Sequence, residues 1–364
     1  MTDRTAKKAA IKRASASARN AMDQLDADTL DKLTALYRDA VDGLHNIIDS
    51  FADSDSAVPF DTLQALLAAA ESRLKQLEAQ RTALLNSSMN AAALLGVKPF
   101  LAAAARLTSN IIAIPEQAIT FVQRFVADDG LQLSDRIWRT DNHARQIVRD
   151  AINQAVIQGH SASRAAQELL SSGQPGNSAL QAKLKANAAG PLKKTIEQQL
   201  FGGVGTPYDN AKRLFRTEIN RANGQAYQAT AFSHPDIIGT RFLLSPNHPK
   251  HDICDMHAHA NIYGLGAGVY PQGKNPWPAH PNTLSYTEVV FADEVTDSDK
   301  QGKQAAISWL NDQPIAVQES VLNSRFKRIA LQKGLLPATA IATPWRDLKP
   351  RLEKQGHNTD TWGN

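Results

Sequence analysis

Thr240-Arg241-Phe242-Leu243-Leu244 opens the stretch that decides the fold, and Tyr286-Thr287-Glu288-Val289-Val290-Phe291 closes it. Both runs are rich in β-branched and aromatic residues and are bounded by prolines and polar residues, so they predict two strands. Between them stand His248, His251, Asp252, Cys254, His257 and His259, then Pro276-Trp277-Pro278-Ala279-His280-Pro281-Asn282. With His234 just ahead, this segment holds six of the ten histidines and the only cysteine. Two physical readings account for such clustering: chelation of a metal, or a hydrogen-bonded loop core.

Upstream, Asp209 is read as the cap of a helix over residues 210–232, with Leu214, Phe215, Ile219, Ala222 and Ala226 on its apolar side. Arg216, Glu218, Asn220, Arg221 and Asn223 form a dense polar set on the same helix. Arg216, Glu218 and Asn220 make either a buried network holding the helix to the following sheet or a wet face. Residues 174–206, with Gly190-Pro191 and the cluster Gly202-Gly203-Val204-Gly205, read as a linker with one short helix near Leu192–Leu200. That glycine cluster lacks the Gly-Lys-Ser/Thr ending of a phosphate loop. Ser134 is read as starting a helix carrying Ile137 and Trp138 and ending at Gly159, and Ser161 starts another that stops near Gly173.

Toward the N-terminus, apolar residues recur at helical spacing from Leu30 to Phe51, break at Asp53–Pro59, and resume at Leu63, Leu67, Ala70, Leu74, Leu77 and Leu84. The short break makes these helices an antiparallel, projecting hairpin with a coiled-coil-like seam. Residues 87–127 read as an alanine-rich buried helix pair, bent at Pro99 and stopped by Pro115. Residues 1–22 carry Arg4, Lys7, Lys8, Lys12, Arg13 and Arg19 with no aromatic among them. They read as a basic helix or a disordered arm, with Lys7, Lys8, Lys12 and Arg13 available for sequence-blind contact with DNA. Downstream of the sheet a helical pair closes at Gly334, a proline-rich end runs from Pro337 to Pro350, and the last dozen polar residues are expected to be mobile.

The 364 residues allow two or three domains, and a formal charge of +4 permits nucleic-acid contact without demanding it. One cysteine excludes an internal disulfide framework. The N-terminus lacks a secretory apolar core, and Lys98, Pro99, Arg106 and Asn110 interrupt the most apolar stretch too soon for a membrane span. A soluble chain made in a reducing cytoplasm is expected.

Cys254-Asp255-Met256-His257 is a C-x-x-H pair, a spacing that lets thiolate and imidazole reach one ion from a tight turn. His280 is the natural third ligand, and Asp252, His251 or His259 the fourth. Sulfur and nitrogen donors favour zinc over calcium or magnesium. The same residues admit a metal-dependent nuclease reading, although no Arg or Lys ladder accompanies them. Cys254 as a nucleophile is disfavoured by the carboxylate of Asp255 beside it.

In order and spacing these features resemble the phage Mu F-type minor head proteins, the phage head morphogenesis family. The resemblance covers about residues 131–295. It rests on Arg216-Thr217-Glu218 with Asn220 and Asn223, the strand around Phe242, Asp252 with Cys254-x-x-His257, and Pro276-Trp277-Pro278-Ala279-His280-Pro281-Asn282. His257 stands where the family has the second cysteine of its turn, and Thr283 and Ser285 where it has its last two. The resemblance implies a minor capsid protein inside the head, associated with the portal protein and with major capsid or scaffold proteins. It would aid procapsid assembly, and DNA packaging or ejection through contact with packaged double-stranded DNA. It would be found in the host cytoplasm during assembly, then in the virion. The alternative is a virion-carried metal-dependent nuclease or a DNA-binding accessory protein. No membrane contact and no catalytic residue are assigned.

The expected fold is mainly α with a small α+β module. A helical region with a basic arm and projecting hairpin spans 1–130. A head-morphogenesis domain with its α/β module at 236–295 spans 131–295, and a helical, proline-rich tail spans 296–364.

Overall fold

The structure, a computed structural model, describes residues 3–52, 60–101, 109–126, 130–171, 178–246, 248, 250–281, 283 and 285–363. At 3, 52, 60–62, 109–110, 156–171, 178–188 and 363 the backbone alone is described. In chain order come α1 (Asp3–Ala52), α2 (Phe60–Leu101), α3 (Ser109–Arg124), α4 (Leu133–Ser171), α5 (Ser178–Phe201) and α6 (Pro207–Ala231). Then follow β1 (Ile237–Leu243), α7 (Ile253–His259), β2 (Val269–Tyr270) and β3 (Tyr286–Phe291). The chain ends with α8 (Asp297–Gln301), α9 (Ala306–Asn311), α10 (Ile315–Leu322), α11 (Arg325–Gln332) and α12 (Trp345–Lys354). It is mainly helical with one small antiparallel sheet, the class the periodicities predict. Among the described residues no helix is long and apolar enough to cross a membrane.

Several punctuation signals act differently from expectation. Of the two readings of the basic N-terminus the helix holds, since residues 3–22 are the first turns of α1. Pro115 sits inside α3 rather than stopping it. A proline there removes one backbone donor, and burial of Ile114, Ala118 and Val122 holds the helix across the gap. The break predicted at Gly159 is absent from the backbone of α4, and the linker predicted over 174–206 is largely α5, which continues through Pro191. The breaks at Asp53–Pro59 and Gly173–Asn177 lie outside the described residues. Helix α6 starts earlier than expected, because Thr206 rather than Asp209 is its cap. The Thr206 hydroxyl accepts from Asp209 N at 3.3 Å, and Pro207 follows at the first helical position, where its missing N–H costs nothing.

The chain divides into two compact units, one of residues 24–88 and 131–215, the other of 1–23, 89–130 and 216–364. In the first, the seam of the predicted hairpin is not left projecting. Val41, Leu44 and Ile48 of α1 and Leu66, Ala70 and Leu74 of α2 pack with Ala144, Val148 and Ile152 of α4 and Leu192, Ile196 and Leu200 of α5. Each fully buried leucine or isoleucine is worth about 1.5–3 kcal/mol relative to exposure, so this four-helix core dominates the unit. Within it Arg81 pairs with Asp141 at 2.5 Å and reaches the Tyr37 hydroxyl at 3.4 Å. Trp138 of α4 is 60% exposed.

The second unit holds the sheet, in the order β2-β1-β3. Thr240 faces Tyr270 on one side and Val289 on the other, with an irregularity between Ile237 and Gly239. Ile11 of α1 and Phe100 of α2 bury against Tyr227 of α6, Ile237, Val289 and Phe291. The Tyr227 hydroxyl accepts from Val289 N at 3.2 Å and lies 3.0 Å from the Ser15 hydroxyl, locking α1, α6 and β3 together. A further core joins Met256 and Ala260 of α7 to Leu310, Val321, Leu322, Ala330, Leu331, Leu348 and Leu352 of the last helices. The helical pair α10–α11 ends as predicted at Gly334, in the left-handed region at φ 70°. The polar tail is not free: it turns at Thr359–Gly363 and packs Trp362 on Trp345, centroids 5.8 Å apart.

Candidate metal centre

The C-x-x-H pair is not in a tight turn but on a short helix. Asp252 caps α7, its carboxylate accepting from Cys254 N at 2.7 Å, while the Asp255 carboxylate returns to Asp252 N at 2.8 Å. This reciprocal box satisfies two donors that a helix start otherwise leaves open. It also fixes Asp252 and Cys254 side by side at the mouth of the proline-rich loop.

His280 arrives from that loop. Its Nε2 lies 3.2 Å from the Asp252 carboxylate and its Nδ1 2.9 Å from the Pro281 carbonyl. Hydrogen bonds to Asp252 and to the Cys254 thiol push the His280 pKa up to about 10. Burial alone would raise Asp252, but His280 and the Cys254 backbone outweigh it and bring Asp252 down to about 2. The imidazolium and carboxylate are therefore an ion pair throughout the neutral range. Cys254 is fully buried, with Sγ 3.7 Å from the Thr283 hydroxyl.

Of the four predicted ligands, three converge. One donor atom each from Asp252, Cys254 and His280 lies within 4.8 Å of the others. His257 does not belong to this group: its Nδ1 lies 3.2 Å from the Tyr270 hydroxyl, and burial lowers its pKa to about 4. The reason is the helix, which a tight turn would not have imposed. His251 and His259, weighed as the fourth ligand, serve Asp255 instead. His251 meets the Asp255 carboxylate at 2.8 Å, His248 meets its other oxygen at 2.9 Å, and His259 Nδ1 lies 2.8 Å from the Asp255 carbonyl.

A sulfur, a nitrogen and an oxygen donor fit a zinc-type ion in three positions, leaving the fourth for water. Each donor is also hydrogen-bonded within the protein, so the loop core stands without an ion. Both readings of the histidine cluster are thus built into one site: a three-donor pocket on one side of α7, and a carboxylate held by two imidazoles at its start.

The polar set on α6 also resolves. Glu218 and Arg221, both buried, form an ion pair, and Arg221 lies 4.2 Å from the centre of the Phe125 ring. Asn220 donates to the Thr283 carbonyl at 3.2 Å, tying the helix to the loop before β3 rather than to the sheet itself. Asn223 donates to the Ala92 carbonyl of α2 at 2.8 Å. Arg216 is half-buried where α6 enters this unit. Gly224 faces Trp277, whose indole N–H donates to the Ser285 carbonyl at 2.7 Å.

The chain matches no family model, no curated protein and no solved structure.

The predicted DNA contacts at the N-terminus are largely committed elsewhere. Lys8 bonds Asp293 at 2.9 Å, and Lys12 pairs with Glu294. Lys7 is half-buried and Arg13 exposed on the same helix. Sequence reasoning passed over Gly224 and gave Asp255, His248 and Thr283 no part in holding the site together. Two of these left a signal: Asp255 follows Asp252 at capping-box spacing, and a glycine inside a helix marks a close approach.

Proposed function

We propose that this chain is a minor head protein of a tailed phage, internal to the capsid and bound at the portal. One observation supports the reading above the others. The three segments that resemble the Mu F-type family are far apart in sequence, yet in the fold they close on one another. Asn220 of the Arg-Thr-Glu helix bonds Thr283 across 63 residues. Gly224 of that helix receives Trp277, and Asp252 with Cys254 receives His280. A motif that is a chance string has no physical reason to assemble.

In this reading the His/Cys loop is a scaffold that fixes the proline-rich loop, and the function is to bridge portal, shell and packaged DNA during procapsid assembly. The test is co-expression with the portal protein from the same genome, followed by size-exclusion chromatography. Co-elution supports the proposal. A chain that elutes alone beside assembled portal overturns it. Plasmid degradation by the same preparation, dependent on a divalent metal and lost in His280→Ala, would replace it with the nuclease reading.

A further inference from the structure

The positive charge of this chain is not spread along it. Residues 315–364 hold eight of the forty Lys and Arg but only four of the thirty-six Asp and Glu, a surplus equal to the +4 of the entire chain. Everything before Ile315 is electrically balanced.

Within these fifty residues the acids are all engaged. Glu319 pairs with Arg328 at 2.8 Å and Asp347 with Arg346 at 3.0 Å. Asp360 takes Lys349 at 2.8 Å, and Glu353 lies 3.6 Å from Lys349 and accepts from the Thr359 hydroxyl at 2.7 Å. Lys327 is buried and donates to the Ile341 carbonyl. Four cations remain, Arg325, Lys333, Arg351 and Lys354, all exposed and none facing a carboxylate among the described residues.

The elements that carry them are fastened together. Phe326, next to Arg325, stacks on Trp345 of α12 with centroids 5.4 Å apart and planes 16° apart. Trp345 meets Trp362 at 5.8 Å, and the Lys333 ammonium lies 5.8 Å from the Trp362 ring centre. Phe326 in the first turn of α11 and Lys333 at its C-cap are seven residues apart. Arg351 and Lys354 are one turn apart on α12. The aromatic trio therefore joins both helices and the last turn into one base for uncompensated positive charge.

We propose that this C-terminal surface binds the phosphate backbone of duplex DNA without regard to sequence. Here the acids are engaged with other partners, and cations left without carboxylates on helices packed together attract a regularly charged polyanion. The Lys and Arg side chains have no base-reading element beside them, so specificity is not expected. The proposal deepens the head-protein reading by placing its DNA contact on this surface, and its test is separable: the purified chain suffices, and its presence or absence in capsids is a separate result.

The test is fluorescence anisotropy of a labelled 30-base-pair mixed-sequence duplex with the full-length chain. Four phosphate contacts predict a fall in affinity on the order of a hundredfold between 50 and 200 mM salt. Neutralising the surface in R325Q/K333Q/R351Q/K354Q should weaken binding at low salt by roughly tenfold or more and flatten that salt dependence. Circular dichroism and the melting temperature should be unchanged, and K7Q/R13Q should bind like the wild type. Failure of the wild type to bind, or wild-type affinity and salt slope in the fourfold variant, would overturn the assignment. So would binding of the wild type to vesicles of phosphatidylglycerol but not to the duplex.

Discussion

Trp277 fills the space that a side chain on Gly224 would need. A Cβ built on Gly224 would stand 1.5 Å from Trp277 Cζ3, so the indole packs directly on the backbone of α6. Gly224→Ala must push Trp277 away and break its bond to the Ser285 carbonyl. Overpacking of this kind costs about 1–3 kcal/mol. Urea unfolding should show that loss, together with a change in tryptophan fluorescence. An unchanged midpoint would mean that the proline-rich loop is not seated on α6.

The N-terminal helix is a core element of its unit. Ile11 is fully buried among Phe100, Tyr227, Val289 and Phe291. Ile11→Ala should therefore cost about 2–5 kcal/mol. Replacing Lys8 and Lys12, whose pairs lie at the surface, should cost under about 1 kcal/mol each. Thermal melts of the three variants check the contrast, which an independent arm would not produce.

Glu218 and Arg221 are a buried pair on one helix. Removing the acid alone in Glu218→Ala strands a guanidinium, at a cost of about 3–5 kcal/mol. The double variant Glu218→Ala/Arg221→Met should recover much of that. A double-mutant cycle on unfolding free energies gives the coupling, and additive losses would contradict a paired network.

Lys327 is buried with no carboxylate partner among the described residues, and burial lowers its pKa from 10.5 to about 8. Because the folded value is below the unfolded one, the unfolded chain binds more protons between about pH 8 and 10.5. Stability should accordingly rise with pH across that window, by up to about 1.4 kcal/mol per unit. Lys327→Met should flatten this part of the profile. A slope of the same size in the variant would assign it to other groups.

A zinc ion taken up by Asp252, Cys254 and His280 would compete with a proton, since His280 must give up the proton that its raised pKa retains. Added zinc should raise the melting temperature more at pH 8.5 than at pH 6.5. Cys254→Ala should abolish the shift. A shift that survives this substitution would place the ion elsewhere.

Much of the fold was legible because periodicity is a direct image of burial. Val41, Leu44 and Ile48 of α1 and Leu66, Ala70 and Leu74 of α2 fall in a core, and the strand runs around Phe242 and Val289 fall in the sheet, whereas Leu94 and Leu101 of α2 stay exposed. Breakers were less faithful. Pro115, Pro191 and Gly159 interrupt a local signal that helix continuity overrides, and no local rule reports what a neighbouring helix contributes. At the site, the spacing of Cys254 and His257 suggested shared duty. The capping box of Asp252 and Asp255 instead winds these residues into a helix, which separates the imidazole from the thiol. Cys254 with His280 was readable from the clustered donor types, with Asp252 one of three candidates beside them; the seating of the loop that delivers His280, through Trp277 on Gly224, is a long-range contact that no local rule places.

We propose that this chain is built into a phage head, and quantitative mass spectrometry of gradient-purified heads, from phage particles released by the source of this sequence, tests that proposal most directly. The account predicts the chain in mature heads and procapsids, at few copies relative to the major shell protein and retained after nuclease treatment of the exterior. Complete heads without it, with the chain left in the soluble fraction, would contradict the account.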